Sequence, residues 1–166
     1  IDLNSRSRLQ VRYDTDRRLI ELSEGEAMFS VEHDSARPFV VEAGSGKITV
    51  TGTRFDVRRD VTQTRVAVEQ GTVKVQGHNA PDNDFISLTA GLGTYVDAQG
   101  KVAAAYAVNP AELTAWRSGK LVFNNASLSE VAAEVSRYRE KPLTVSNPAV
   151  ASLRLTSVFK SDNTEA

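Results

Sequence analysis

In Gly71-Thr72 a hydroxyl side chain follows a glycine between two valine-rich runs, 65–70 and 72–76. If the runs pair as a hairpin around Glu69-Gln70-Gly71, with Val66 and Val68 in register with Val73 and Val75, a strained Gly71 peptide lies against the Thr72 oxygen. Attack of that oxygen on the Gly71 carbonyl carbon breaks the amide C–N bond, transfers the acyl group to oxygen as an ester and frees the Thr72 amine; water then hydrolyses the ester. Such an N-to-O acyl shift requires no separate base. Gly71 and Thr72 are therefore the candidate catalytic residues, for a single self-cleavage rather than for turnover. Gly52-Thr53 and Gly93-Thr94 repeat the dipeptide. All three also fit a turn-to-strand transition, with glycine for backbone freedom and threonine for β propensity.

Other chemistries find little support. The chain has no Cys, which excludes disulfides, thiolate zinc sites and cysteine nucleophiles and says little about compartment. His33 and His78 fall in turn or loop segments without metal-ligand spacing, so no metal and no cofactor is expected. Gly44-Ser45-Gly46 joins two strand-like runs and lacks the further Gly and following helix of a phosphate loop, and no Gly-x-Ser-x-Gly elbow occurs. Twenty Lys and Arg against 21 Asp and Glu leave a net charge of −1, which argues against a nucleic-acid partner. The pairs Arg17-Arg18 and Arg58-Arg59 are expected at strand ends, facing solvent or a protein partner. The longest charge-free runs, 85–96 and 142–153, fall short of the roughly 18 apolar residues that span a bilayer.

The elements that must position these residues come in two kinds. Over 8–108 the hydrophobic period is two and turn residues recur about every ten positions, which predicts many short antiparallel strands, closed as a sandwich or wound like a solenoid. Leu9, Val11 and Tyr13 alternate before a turn at 14–16; 18–22 and 27–31 flank a turn at Ser23-Glu24-Gly25-Glu26; Phe39, Val41 and Ala43 turn through Gly44 into Ile48 and Val50. The segment 19–31 echoes the 65–76 hairpin, a loosely repeated unit. Further strands are expected at 85–89, 94–97 and 102–108, after a loop at 78–84.

The pattern changes at Asn109. Asn109-Pro110-Ala111-Glu112 supplies an N-cap, a proline in the first turn and an acid near the helix start, predicting a helix to Trp116 that Gly119 stops. A strand at 121–123 follows. Ser127-Leu128-Ser129-Glu130 is a capping box, and Leu128, Val131, Ala132, Val135 and Tyr138 form one helical stripe ending before Pro142. Strands are expected at 143–145 and 153–159 around an Asn147-Pro148 turn, with a second helix beginning after Asp162. The expected organisation is a β-rich domain at 1–108, a helical connector at 109–120 and a small α+β (βαββ) subdomain at 121–166. That subdomain reads as incomplete, and the chain, opening at Ile1 without initiator Met or signal peptide, as an excised stretch of something longer.

The order of motifs resembles the FecR-like family of periplasmic anti-sigma regulators. The resemblance is carried by 18–31 (RLIELSEGEAMFSV), 37–41 (RPFVV), 52–57 (GTRFDV), 66–75 (VAVEQGTVKV), 88–91 (LTAG), 116–123 (WRSGKLVF), Arg137-Tyr138 and Val158-Phe159. It implies the periplasmic region of a single-pass inner-membrane protein, whose membrane helix and cytoplasmic sigma-binding segment lie upstream, ending in a module like the short signalling (STN) domains of secretins and TonB-dependent receptors. The implied partners are the signalling domain of a TonB-dependent outer-membrane transducer carrying a ferric siderophore, an iron-starvation (ECF) sigma factor, and periplasmic and intramembrane proteases. The resemblance implies no siderophore or metal ligand on the chain itself. Some relatives cleave themselves at a Gly-Thr bond, and Gly71-Thr72 resembles their arrangement better than the other two pairs. The expected partner-binding surface is a sheet edge or an apolar strip of Leu121, Val122, Phe123, Leu143, Val145, Leu153, Leu155, Val158 and Phe159. The alternative reading is an envelope- or carbohydrate-binding β domain without a signalling role.

Overall fold

Alternation of apolar and polar residues puts every second side chain on one face of a strand, and strands take up 49% of the chain against 14% for helices, making the fold mainly β. The computed structural model describes residues 1–163. Two units form, Ile1–Pro110 and Ala111–Ala166.

The first unit is a curled, mixed sheet of 11 strands. These are β1 (Asp2–Leu3), β2 (Arg8–Tyr13), β3 (Arg18–Ser30), β4 (Phe39–Ala43), β5 (Gly46–Val50), β6 (Arg54–Arg59), β7 (Gln63–Gln70), β8 (Thr72–Gly77), β9 (Ile86–Thr89), β10 (Leu92–Asp97) and β11 (Tyr106–Ala107). They run β11-β10-β7-β6-β3-β4-β5-β8-β9, with β1 and β2 also on β3. The first half of β3 pairs with β2 and, in parallel, with β4, so one pair departs from the expected antiparallel pattern. Its second half pairs antiparallel with β1 and β6. Ile20, Leu22, Phe29, Val41, Ile48, Phe55, Val57, Val66 and Val75 from both halves are fully buried in one cluster. Phe29 stacks on Phe55 at 5.2 Å between ring centres and meets Phe39 edge-on at 5.8 Å. Burial of this kind stabilises by about 1.5–3 kcal/mol per large side chain.

Two expected hairpins do not form. Ser23-Glu24-Gly25-Glu26 is no turn, since β3 runs through it unbroken for 13 residues. Gly25 adopts φ +88°, and a Cβ there would come within 2.5 Å of the Ser7 Cα and 2.6 Å of the Arg6 carbonyl oxygen. The Ser7 hydroxyl accepts from the Glu26 N–H (2.8 Å) and bonds the Glu26 carbonyl (2.9 Å), so the glycine bends the strand from one half of the sheet to the other. Nor do Val66 and Val68 pair with Val73 and Val75. β7 lies between β6 and β10, and β8 between β5 and β9. Gly71, at φ +89°, is a corner between the two halves, and the four valines meet inside the shared core instead. The repeated hairpin unit is therefore absent.

The chain enters the second unit through α1 (Pro110–Leu113), whose first residue is the last of the first unit, and a 3-10 turn at Ala115–Ser118, closed by Gly119 at φ +70°. β12 (Lys120–Ser127), α2 (Leu128–Ser136), α3 (Pro148–Ala151) and β13 (Arg154–Lys160) follow, then a 3-10 turn at Ser161–Asn163. The capping box forms as read: the Glu130 N–H donates to the Ser127 hydroxyl and the Ser127 N–H to the Glu130 carboxylate (2.7 Å). Val131 and Val135 of α2 bury against Leu121 and Phe123. The strand expected at 143–145 does not form, because the Leu143 N–H is taken by the Ser136 hydroxyl at 2.7 Å and Pro142 has no N–H to offer. Asn147-Pro148 is not a simple turn either; the Asn147 side chain accepts the Ala149 N–H (3.0 Å) and starts α3. The sheet is therefore β12–β13 alone, and the helix expected after Asp162 falls, beyond residue 163, outside the described residues.

Urea unfolding should separate two glycines of similar φ. Gly91 (φ +80°) has nothing within 4 Å of a Cβ, so Gly91→Ala should cost about 1–2 kcal/mol. Gly25→Ala should cost about 3 kcal/mol or more, because backbone atoms of β3's neighbours must move as well. Equal losses would show that Gly25 is not a packed bend.

Candidate functional site

Gly71 and Thr72 are both exposed at the β7–β8 corner. Thr53, 4% exposed, donates its hydroxyl to the Thr72 carbonyl at 3.0 Å, and a Cβ on Gly71 would lie 3.1 Å from that hydroxyl and 3.2 Å from the Gly52 carbonyl. The fold therefore brings two of the three Gly-Thr pairs together. At Gly52 a Cβ would come within 2.7 Å of the His33 Cα, so a close backbone approach accounts for that glycine. Gly93-Thr94 lies apart: Thr94 is fully buried and bonds the Ala103 carbonyl at 2.7 Å, a packing role inside β10. The corner offers an exposed Thr72 whose own carbonyl, one peptide beyond the Gly71–Thr72 bond, is held by Thr53. Sequence reasoning missed Thr53, since only the fold places it there. His33 and His78 are exposed, and among the described residues no group of three or more His, Asp or Glu is placed to hold a metal ion.

The residues of the expected strip divide between interior and surface. Leu121 and Phe123 are buried, and Leu155 packs partly buried against them, so these three form the core beneath α2. Phe159, opposite Leu121 on the same face, is 40% exposed and meets Phe123 edge-on at 5.7 Å. On the other face Val122 stands opposite Val158, and Lys120 opposite Lys160. Val122 is half-buried and Val158 is 60% exposed. Leu143 and Leu153 are exposed and Val145 half-buried, all outside the two-stranded sheet. Among the described residues neither β12 nor β13 pairs with any further strand, leaving both outer edges open.

A third cluster went unread in the sequence. Glu26 and Asp56, each 2% exposed, lie on neighbouring strands around the Arg65 guanidinium, which is 2.7 Å from Glu26 and 3.4 Å from Asp56. The Asn4 amide also donates to Glu26. The second Asp56 oxygen is buried without a hydrogen-bond partner. Burial, and then the neighbouring Glu26, push the Asp56 carboxyl well above the ordinary carboxylate range. Finding this cluster required the registers of β3, β6 and β7, which are not local properties.

A carboxyl raised in the folded state makes stability fall as pH rises. Below the unfolded value of about 3.9 both states hold the proton; above it the unfolded chain ionises first and gains. Asp56→Asn should flatten this fall and raise stability at pH 8 by about 2 kcal/mol, whereas Arg65→Met should lower it by about 3 kcal/mol. Urea titrations at pH 5 and 8 measure both, and an unchanged pH slope in Asp56→Asn would show that Asp56 ionises normally.

Residues 1–74 match the family model described as FecR protein. No curated protein matches. Two crystal structures of a candidate anti-sigma factor from Parabacteroides distasonis ATCC 8503, at 1.65 and 2.50 Å resolution, each superpose with a TM-score of 0.81 at 24% identity. They cover 96% and 98% of this chain, and 74% and 76% of their own, a likeness of fold. From β1 to the start of β8, through the bend at Gly25 and the corner at Gly71, the chain is similar to the FecR family.

Proposed function

We propose that this chain is the signal-receiving region of a FecR-like anti-sigma regulator. It works in the periplasm, held by a single inner-membrane pass, and relays ferric-siderophore occupancy of a TonB-dependent outer-membrane transducer to an iron-starvation sigma factor. Periplasmic and intramembrane proteases then release the sigma-binding segment. The FecR match and the fold shared with a candidate anti-sigma factor support the class of regulator. No described helix is long and apolar enough to cross a membrane, so the anchor and the sigma-binding part are assigned to other segments.

The observation that carries the receiving role is the two-stranded sheet with two open edges. Isolated two-stranded sheets are marginal, and a strand added from a signalling domain would extend this one by backbone hydrogen bonds. Val158 and Val122 offer an apolar patch flanked by Lys120 and Lys160, whose like charges stand directly opposite one another. An acidic side chain on the incoming strand relieves that repulsion. Leu143, Leu153 and Phe159 add exposed apolar surface.

Isothermal titration of the chain with an isolated transducer signalling domain should give saturable heat, and Val158→Glu should weaken binding about tenfold while leaving the fold intact. Absence of heat with any siderophore-transducer signalling domain from the same genome would sink the proposal.

The corner supports a second activity, self-cleavage between Gly71 and Thr72 by the N-to-O shift. It is favoured by the exposed Thr72 hydroxyl and by the Thr53 bond, which fixes the next carbonyl along the chain. Denaturing mass spectrometry should show fragments 1–71 and 72–166, lost in Thr72→Ala and slowed about tenfold in Thr53→Val. One intact mass after prolonged incubation rejects it.

A further inference from the structure

β2 pairs with β3 on one side only; among the described residues no strand lies on its other side. The direction of its free backbone groups follows from two bonds. The Asp14 N–H donates to the Arg17 carbonyl (2.9 Å), and the Arg18 N–H, opposite Tyr13, points away to the Pro38 carbonyl (2.9 Å). Hydrogen-bonded and non-bonded pairs alternate along an antiparallel ladder, so Gln10, Arg12 and Asp14 face β3 while Leu9, Val11 and Tyr13 present their N–H and C=O outward. Three unpaired residues in a row form a docking edge. Val11 is 52% and Tyr13 57% exposed.

Natural edges are commonly guarded by charge. The arginines of β2 are turned to β3 instead: Arg8 sits 3.6 Å from Glu24 and Arg12 3.5 Å from Glu21. The edge is left open, and its sequence is complementary to itself.

We propose that β2 is a self-pairing edge through which two copies of this chain join antiparallel, with Val11 at the two-fold axis. Val11 then meets Val11 of the second copy, Leu9 meets Tyr13, Gln10 meets Arg12, and Arg8 meets Asp14. All three outward-facing residues pair, apolar side chains share one face, and the terminal pairs carry opposite charge. The backbone admits two other registers, each slipped by two residues, and both are worse. Centred between Leu9 and Val11, the pairing sets Arg8 against Arg12; centred between Val11 and Tyr13, it sets Arg12 against Arg12. Each also loses one of the three bonded pairs.

Sedimentation equilibrium from about 1 to about 300 µM should show the mass rising from 18.0 kDa toward twice that value. Val11→Pro removes only an outward N–H, which an edge strand tolerates, so it should abolish the dimer and keep the unfolding midpoint. Because the chain has no other thiol, Val11→Cys should give one disulfide-linked dimer on mild oxidation. Bonded antiparallel partners lie about 5.5 Å apart at Cα, within disulfide reach. Gln10→Cys, whose counterpart is displaced along the strand, should not. A monomer at every concentration with no Val11→Cys product, or a dimer indifferent to Val11→Pro, overturns the proposal; the first would leave the edge to a foreign strand.

Discussion

The first unit depends on one strand serving two halves of a sheet. β3 carries ladder bonds to β1, β2, β4 and β6, and side chains from both its ends enter the same apolar cluster. A straight 13-residue strand would reach about 40 Å and leave half of that cluster in water. The bend at Gly25 brings Ile20 and Leu22 together with Ala27 and Phe29, and Ser7 replaces the ladder bonds that the bend disrupts. Once β3 is folded over in this way, the strands paired with its two ends must face each other. The corners at Gly71 and Gly91 then carry the chain across with little extra cost, since each lies where the two halves are already close.

What could be read in the sequence was local. The capping box at Ser127 and Glu130 and the Gly119 stop are satisfied by residues within a turn of each other, and a helix does start at Pro110, so spacing alone reveals them. Most strand positions followed from alternation, for the same reason; of the strand expected at 102–108 only Tyr106–Ala107 forms, and 143–145 forms none. Partner choice did not. Gly25 and Gly71 supply the positive φ that a hairpin turn would use, and only a distant residue, Ser7 or Thr53, makes one a bend and the other a corner. Val66, Val68, Val73 and Val75 satisfy a hairpin and a shared core equally well by composition. At the candidate site, Gly71-Thr72 was visible as a dipeptide, whereas Thr53 beside it and the Glu26, Asp56 and Arg65 cluster depend on registers between residues 9 to 39 positions apart. In the second unit Ser136 bonding Leu143 outcompeted a β-branched pattern that looked like a strand.

The second unit is built on a thinner margin. One nine-residue helix covers one face of two strands, and its buried cluster is four residues with three partly buried neighbours. Its other face keeps two lysines opposed across the ladder. Those features lower the stability of the sheet by itself and raise the gain from adding to it.

The corner at Gly71 also determines what a break in the backbone would do. Strands that follow that bond flank, at both ends of the sheet, those that precede it: β8 lies on β5, β10 lies on β7, and Val73 and Val75 share the interior with Val66 and Val68. A chain severed there would remain one body, two polypeptides held by two ladders and a common core, with a new amino terminus and a new carboxylate at the surface. Cutting would change how the molecule responds to a pull along its length, because the pieces would now part by shearing strands rather than by stretching a continuous backbone. A nick at this place converts a covalent tether into a non-covalent one without altering the fold at rest.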